Sequence, residues 1–267
     1  MTDRDDGPDA WLGLEGQGGG LWEFELTRPL ARFDAKLYGG TGLAAVTAAM
    51  EAETGRPTLW ATVQFVASAD VGERIRCRVE VLAPGRRTSQ VRVTAAVGDR
   101  VVLAALGSTG EPRSGGLDVQ VGAMPDVAPP EDSPPWRPKV PFEITEANQG
   151  WLGLADIRTV TSSGSGSGSD MALWARMRDR PQSRATMGFL ADVVPSAVVR
   201  AAGRAGAGTS LDNAVRFGAA PDTDWILIDL DPHFAAGGYL HGAARLWAPD
   251  GTFLAVASQT AVGILFD

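Results

Sequence analysis

The sequence predicts an α+β fold in which one unit, a long helix wrapped by a strongly curved antiparallel sheet, occurs twice. Three observations lead to this prediction. Each half of the chain starts with apolar residues at helical spacing. Each half then continues with segments in which apolar and polar residues alternate, as they do in strands with one buried face. The two series of elements run in the same order at a constant offset, which is typical of an internal repeat.

The helix of the first half is predicted just after two glycines, Gly39 and Gly40. Apolar residues then recur every three or four positions, Val46 and Met50 among them. This spacing places them along one face of a helix. Gly55 follows the run, and a glycine at this place is a common end of a helix.

The strands of the first half follow Gly55. Residues 74–81 alternate strictly between charged and apolar side chains, which predicts a strand with one buried face. Pro84 and Gly85 indicate a turn. Residues 91–95 continue the alternation, and a further strand is predicted over residues 101–106.

The second half repeats this order. Apolar residues between Phe189 and Ala201 fall at helical spacing. Pro195 is tolerated only in the first turn of a helix, so Asp192 is a candidate N-cap. Four strands are predicted after this helix, over residues 209–217, 225–230, 239–247 and 253–266.

The offset between the halves is the same at several positions. Phe65 is matched by Phe217, 152 positions later, and Gly40 is matched in the same way by Asp192. Turns also fall on turns without a gap. A duplication explains this agreement, and chance similarity of two strand-rich segments is the alternative.

Composition and charge exclude several classes of protein. The 267 residues include 24 Lys and Arg against 32 Asp and Glu, a net charge of −8, which disfavours a nucleic-acid partner. A single cysteine, Cys77, excludes an internal disulfide framework. No apolar run reaches the roughly 20 residues that a membrane-spanning helix needs, and the polar start is unlike a signal peptide. We therefore expect a cytoplasmic protein without a membrane partner.

Two stretches of unusual composition divide the chain. We expect an N-terminal tail over residues 1–20, a first unit over 21–112, a Pro-rich linker over 113–145 and a second unit over 146–267. Within the second unit, the Gly/Ser tract over residues 162–169 has nothing to bury and is predicted to be a flexible loop.

The two copies differ at positions that could carry chemistry. Asp212 lies at the offset of Trp60, and Gln259 lies at the offset of Gly107. Aspartate is depleted in strands, so a carboxylate held at position 212 would be partly desolvated and could activate water as a general base. The alternative is that both residues lie on a solvent-exposed face and have no chemical role.

An ordered set of motifs resembles one enzyme family. The first half contains Tyr38-Gly39-Gly40, then Gly55-Arg56-Pro57, then Gly85-Arg86-Arg87-Thr88. The second half contains Trp174-Ala175-Arg176, then Phe189-Leu190-Ala191-Asp192, then Thr209-Ser210-Leu211-Asp212, and finally Ala257-Ser258-Gln259. In this order the motifs resemble those of the type II acyl-CoA thioesterases, which are double hotdog proteins.

The resemblance implies hydrolysis of an acyl thioester by water held between an Asp, a Ser or Thr, and a Gln. By motif, the Asp is Asp212 and the Gln is Gln259. The hydroxyl residue is missing from its usual place, where this chain has His233. His233 could replace it, or Thr209 or Ser210 could approach from a neighbouring strand.

In a duplicated hotdog the helix start of one copy is expected to face the strands of the other, which predicts a substrate site at the seam. Tyr38, Gly39 and Gly40 would lie against the thioester, since backbone N–H groups at a helix start can polarise a carbonyl oxygen. The alternative is that these glycines only allow close packing of helix on sheet. Arg86 and Arg87 could contact the phosphates of coenzyme A, or could belong to a solvated turn.

The expected reaction uses no metal, no cofactor and no covalent nucleophile, and its substrate is an acyl-CoA or related acyl thioester. Open sheet edges would allow assembly into a homo-oligomer. A non-catalytic acyl-CoA-binding protein is the main alternative. A second alternative is an enoyl-CoA hydratase, suggested by the Asp231-Pro232-His233 segment.

Overall fold

The structure, a computed structural model, describes residues 9–160 and 171–266. The predicted flexible loop over residues 162–169 lies outside these residues. The described part contains three α-helices, α1 (Gly39–Thr54), α2 (Arg184–Leu190) and α3 (Val194–Ala201). None of its helices is long and apolar enough to span a membrane.

Twelve strands in the described part form one antiparallel sheet. Those of the first half are β1 (Glu15–Gly18), β2 (Leu21–Glu25), β3 (Thr58–Phe65), β4 (Arg74–Pro84), β5 (Thr88–Val97) and β6 (Arg100–Gly110). Those of the second half are β7 (Ala155–Thr159), β8 (Ala172–Met177), β9 (Gly206–Phe217), β10 (Ile226–Ala236), β11 (Tyr239–Trp247) and β12 (Phe253–Leu265). Their order is β1-β2-β4-β5-β6-β3-β9-β12-β11-β10-β8-β7, and β3 and β9 meet at its centre.

The order and register of the strands confirm the predicted duplication. The strand order is symmetric about the β3–β9 pair. Thr62 lies directly opposite Ala214 in this pair, and these two residues are 152 positions apart. A pseudo-two-fold axis therefore passes between them and relates the two halves, so the predicted α+β fold with two copies of one unit is confirmed.

The alternation predicted for the first half is present in β4. Ile75, Cys77 and Val79 are buried, whereas the arginines between them are exposed. The apolar face of the strand packs towards α1, whose residues from Gly39 to Met50 are all buried. Burial of apolar side chains between one helix and a curved sheet is the main contribution to stability in such a layer.

The helix of the second half is interrupted, unlike α1. Residues 191–193 form a turn between α2 and α3, and the N-cap of α3 is Val193 rather than the expected Asp192. Pro195 has no backbone N–H and cannot continue a helix that begins far upstream, so the helix starts again just before it. Because of this interruption, Asp192 lies in the turn and not within a helix.

The Pro-rich linker covers the outer face of the second half of the sheet. Trp174, Leu227 and Trp247 form a small apolar cluster there, and Met124 and Val127 pack against it. The indole nitrogen of Trp174 donates a hydrogen bond to the carbonyl oxygen of Ala128 at 2.8 Å. The predicted linker is thus also part of the packed structure.

The sheet begins before residue 21, within the predicted N-terminal tail. Leu12 is 1% exposed and belongs to the main core. β1 then pairs with β2 in antiparallel fashion, with Glu15 opposite Glu23. Part of the predicted tail is therefore an edge strand of the first unit.

Candidate active site

A cavity of about 860 Å³ opens where two central strands diverge. β9 pairs with β3 only from Asp212 to Arg216. Beyond this point residues 65–68 line one side of the cavity and residues 206–211 line the other. The cavity therefore lies at the seam between the two halves.

A buried carboxylate, Asp192, lies at this seam. One oxygen, Oδ2, accepts a hydrogen bond from the backbone N–H of Gly40 at 2.7 Å. The other, Oδ1, accepts from the side-chain amide of Asn213 at 3.0 Å and from the side-chain amide of Gln259. The hydroxyl of Tyr38 donates to the backbone carbonyl of Asp192 at 3.1 Å. Three donors therefore fix the carboxylate against the start of α1.

A β-bulge places the strand residues of the site. Ala261 pairs with Ser210, and the next residue of β12, Thr260, pairs with Asp212, so Leu211 is an extra residue in β9. Facing residues of antiparallel strands point to the same side of a sheet, and a bulge changes which residues do so. As a result Ser210 and Asn213 both point towards the helices.

Gln259 joins these groups from β12. Its Nε2 donates to Ser210 Oγ at 2.7 Å as well as to Asp192. Its Oε1 is buried and has no hydrogen-bond partner within the described part of the chain. Because Ser210 Oγ accepts from Gln259, its own proton is available to another acceptor.

Burial dominates the electrostatics of Asp192. Desolvation raises the pKa of this carboxyl to about 7, whereas the hydrogen bonds from Gly40, Gln259 and Asn213 act in the opposite direction. The pKa of the Tyr38 hydroxyl is also raised well above its usual value, by burial and then by the charge of Asp192. Asp192 therefore exchanges its proton near neutral pH, as a general base does best.

The two glycines at the start of α1 allow this close approach. A Cβ atom at Gly39 would lie 2.7 Å from Asp192 Oδ2 and 3.0 Å from Ser210 Oγ. A Cβ atom at Gly40 would lie 2.3 Å from the carbonyl oxygen of Phe189. Any side chain at these positions would therefore displace the groups of the site.

The structure brings together five of the residues selected from the sequence. They share the seam around Asp192, and they are Tyr38, Gly39, Gly40, Ser210 and Gln259. Thr209 lines the same cavity, and its hydroxyl accepts a hydrogen bond from Arg32 at 3.4 Å.

The structure does not bring Asp212 or His233 to this group. The carboxylate of Asp212 accepts from the backbone N–H of Thr260 at 2.7 Å, and the bulge at Leu211 turns it away from Gln259. His233 is exposed on β10, with its Nε2 3.4 Å from Asp231, and neither it nor Asp212 lines the cavity.

Sequence reasoning did not place Asp192 and Asn213 in this cluster. The signal for Asp192 was present, because the constant offset matches it with Gly40, and residues related by a two-fold axis can meet at that axis. The signal for Asn213 was absent, since the extra residue that turns it inwards is a matter of strand register.

The rest of the cavity is apolar at depth and basic at its opening. Leu37, Phe65, Trp136, Leu173 and Leu230 contribute apolar surface. A basic rim surrounds the opening and consists of four exposed residues, Arg137, Lys139, Arg200 and Arg204. Such a cavity suits a molecule with an apolar end and an anionic end.

Arg86 and Arg87 lie elsewhere. Together with Gly85, Thr88 and Arg113 they line a separate surface depression at the turn between β4 and β5. The guanidinium of Arg56 donates to the carbonyl oxygens of Gly85 and Arg86 and holds this turn.

A helix wrapped by a curved antiparallel sheet, made twice in one chain and with a cavity at the seam, defines a double hotdog protein. Residues 27–110 match the acyl-CoA thioesterase N-terminal domain, and residues 125–262 match the acyl-CoA thioesterase C-terminal domain. The chain belongs to the acyl-CoA thioesterase family, whose members hydrolyse thioesters. Among curated proteins, none matches the sequence significantly.

Solved structures agree with this assignment. A protein from Novosphingobium aromaticivorans, described as a candidate thioesterase, is 30% identical, with a TM-score of 0.84 over 93% of this chain and 97% of that one. A hotdog protein of unknown function from Alicyclobacillus acidocaldarius is 22% identical, with a TM-score of 0.80 over 98% and 99% of the two chains. An acyl-CoA thioesterase II from Mycobacterium marinum is 20% identical, with a TM-score of 0.72 over 95% and 96%. The last two similarities concern the fold alone.

Proposed function

We propose that the protein hydrolyses an acyl-CoA by direct attack of water, with Asp192 as the general base and Gln259 and Ser210 as the groups that orient the water. The observation that carries this proposal is the cluster at the seam, where Gln259 Nε2 contacts both Asp192 Oδ1 and Ser210 Oγ. A carboxylate, an amide and a hydroxyl are the residue types that the family resemblance calls for. In this proposal Asp192 takes the role expected for Asp212.

The protonation state of Asp192 suits the reaction. With a pKa raised to about 7 by burial, the carboxylate is ionised in a large fraction of molecules at neutral pH and still binds a proton readily. It can therefore take a proton from water as the water attacks the thioester carbonyl. The resulting tetrahedral intermediate collapses with loss of the thiolate, which receives a proton and leaves as the free thiol.

In this proposal the start of α1 stabilises the negative charge that develops on the carbonyl oxygen of the thioester. Gly39 lines the cavity, and the first N–H groups of a helix have no partner within the helix. Positive partial charge at a helix N-terminus stabilises an oxyanion. We assign this role to the N–H of Gly39, because the N–H of Gly40 already donates to Asp192.

Two conservative variants test the choice of base. Asp192→Asn retains the shape of the side chain and removes its basicity, so we expect kcat to fall by at least about 100-fold. Asp212→Asn makes the same chemical change on the same side of the seam, at a carboxylate that does not line the cavity. We expect it to keep turnover close to that of the wild type. The readout is release of free CoA thiol from a panel of acyl-CoAs.

Loss of turnover in Asp212→Asn but not in Asp192→Asn would identify Asp212 as the base. Tight binding of acyl-CoA by the wild type without release of thiol would support the alternative of a non-catalytic binding protein. Gln259→Ala removes both contacts of the amide, and an unchanged kcat in that variant would contradict the proposed orientation of water.

A further inference from the structure

The free edge of β9 borders the cavity. On one side, β9 pairs with β12 along its whole length, from Gly206 to Phe217. On the other side its pairing with β3 stops at Asp212. Among the described residues, no strand covers this second side over residues 206–211, which line the cavity. Backbone N–H and C=O groups on such an edge can bind the amides of an extended ligand.

The charge around the cavity is the reverse of that of the whole chain. The protein carries a net charge of −8. Yet among the described residues that line the cavity, Asp192 is the one carboxylate, and it is buried. The basic rim contributes four cations at the opening, two from the linker and two from the end of α3 and the loop after it. This arrangement favours an anionic group at the opening.

The free edge of β9 extends from the cluster around Asp192 to the basic rim. It runs from Ser210, which contacts Gln259, to Gly206, close in sequence to Arg204. The four residue-to-residue steps between them span about 13 Å at ~3.3 Å per step. A phosphopantetheine arm has twelve bonds between its sulfur and the oxygen that bears its phosphate. Extended, these bonds span about 13 to 14 Å, as do four peptide units of three bonds each.

We propose that the free edge of β9 binds the phosphopantetheine arm of the acyl carrier through its two amides, and that the basic rim binds its phosphate. This proposal rests on the proposed function, because it places the thioester at Asp192 and Gln259. It assigns recognition of the carrier to the second half of the chain and the linker. The arginines at the β4–β5 turn have no part in it.

A series of shortened substrates with one acyl group tests both parts of the arm. The acyl thioesters of CoA, 4′-phosphopantetheine, pantetheine and N-acetylcysteamine lose, in order, the nucleotide, the phosphate and one amide. We expect kcat/KM to fall about tenfold when the phosphate is lost and again when the amide is lost. If kcat/KM changes less between the CoA and phosphopantetheine thioesters than on loss of the phosphate or the amide, the arm is recognised rather than the nucleotide. Acyl carrier protein bearing the same acyl group distinguishes the two natural sources of the arm.

Charge-removing variants locate the phosphate. In the double variant Arg137→Gln with Lys139→Gln, and in Arg200→Gln, we expect the ratio of kcat/KM for acyl-phosphopantetheine over acyl-pantetheine to fall about tenfold. The matched control is Arg86→Gln with Arg87→Gln, which removes two exposed cations outside the cavity. A fall of the ratio in the control and not in the rim variants would overturn the proposal, as would equal turnover of the phosphorylated and unphosphorylated substrates.

Binding without turnover separates this proposal from the proposed function. Calorimetry with free CoA and free pantetheine measures recognition of the arm in the wild type and in the rim variants. Weaker binding of CoA by the rim variants supports the proposal even if Asp192 is not the base. Equal binding of CoA by all forms overturns it even if Asp192→Asn abolishes hydrolysis.

Discussion

The backbone N–H of Gly40 donates a hydrogen bond of 2.7 Å to Asp192 Oδ2, and the two residues occupy equivalent positions of the two halves. The contact joins the start of α1 to the turn that separates α2 from α3. It is also part of the candidate active site. Packing at the seam and chemistry at the seam therefore depend on the same pair of residues.

Gly40→Ala should destabilise the protein. The added methyl group would lie 2.3 Å from the carbonyl oxygen of Phe189 and 2.5 Å from a ring carbon of Tyr38. Both neighbours are buried, so the strain cannot relax into solvent, and we expect a loss of about 3 kcal/mol in the free energy of unfolding. Chemical denaturation measures this loss. A midpoint equal to that of the wild type would mean that the helix start has room to move.

Asn213→Ala should raise the apparent pKa in the pH dependence of kcat/KM. The amide of Asn213 donates to Asp192 Oδ1 at 3.0 Å and lowers the pKa of that carboxyl. Without this donor the ionised form is less stable, so the rate should reach its plateau at a higher pH than in the wild type, for which we expect the midpoint near 7. Arg216→Ala, at an exposed position of the same strand, is the control. A profile that keeps its midpoint in Asn213→Ala would contradict the expected effect of this hydrogen bond on the pKa of Asp192.

The contribution of Asp192 to the stability of the wild type should fall as the pH rises from about 4 to about 7. The unfolded chain loses the proton of Asp192 near its ordinary pKa of 3.8, whereas burial keeps that proton bound in the folded state up to about pH 7. The contribution is thus fully present below pH 3.8 and is lost as the pH passes through the folded-state value. Asp192→Asn lacks this dependence. The difference in unfolding free energy between the two proteins, measured from pH 5 to pH 8, should change in favour of the variant.

Trp136→Ala should weaken the binding of the acyl group. The indole of this linker residue is half-buried and lines the cavity, and the backbone N–H of Trp136 donates to Ile157 at 2.8 Å. The substitution leaves that backbone contact in place and removes apolar surface, so KM should rise several-fold with little change in kcat. Trp225→Ala is the matched control, since the ring of Trp225 contacts the guanidinium groups of Arg158 and Arg176 and does not line the cavity. Equal KM values in the two variants would exclude a role of the Trp136 indole in binding the acyl group.

Local sequence patterns were sufficient to predict most of the fold. The alternation in β4 and the constant offset are properties of the sequence itself, and together they predicted the repeat that the β3–β9 pair confirms. The position of the linker could not be predicted in this way. Its contact with Trp174 joins residues 46 positions apart, and no short-range pattern indicates such a contact.

The candidate site was predicted in part for a similar reason. Gln259, Ser210 and the glycines follow from motifs and from the helix start. The choice between Asp212 and Asp192 depends on one extra residue in β9, which sets the face to which each strand side chain points. Strand period alone gives no indication of such a bulge.

The pairing of Asp192 with Gly40 could not exist in a dimer of identical halves. A true two-fold axis would place a second aspartate opposite the first, and two carboxylates at hydrogen-bond distance repel each other and resist ionising together. Fusion into a single polypeptide removes that restriction, because each half can then change its own side of the axis. A carboxylate that faces the backbone N–H of a glycine across the axis can therefore arise in a heterodimer or in a tandem repeat, but not in a homodimer.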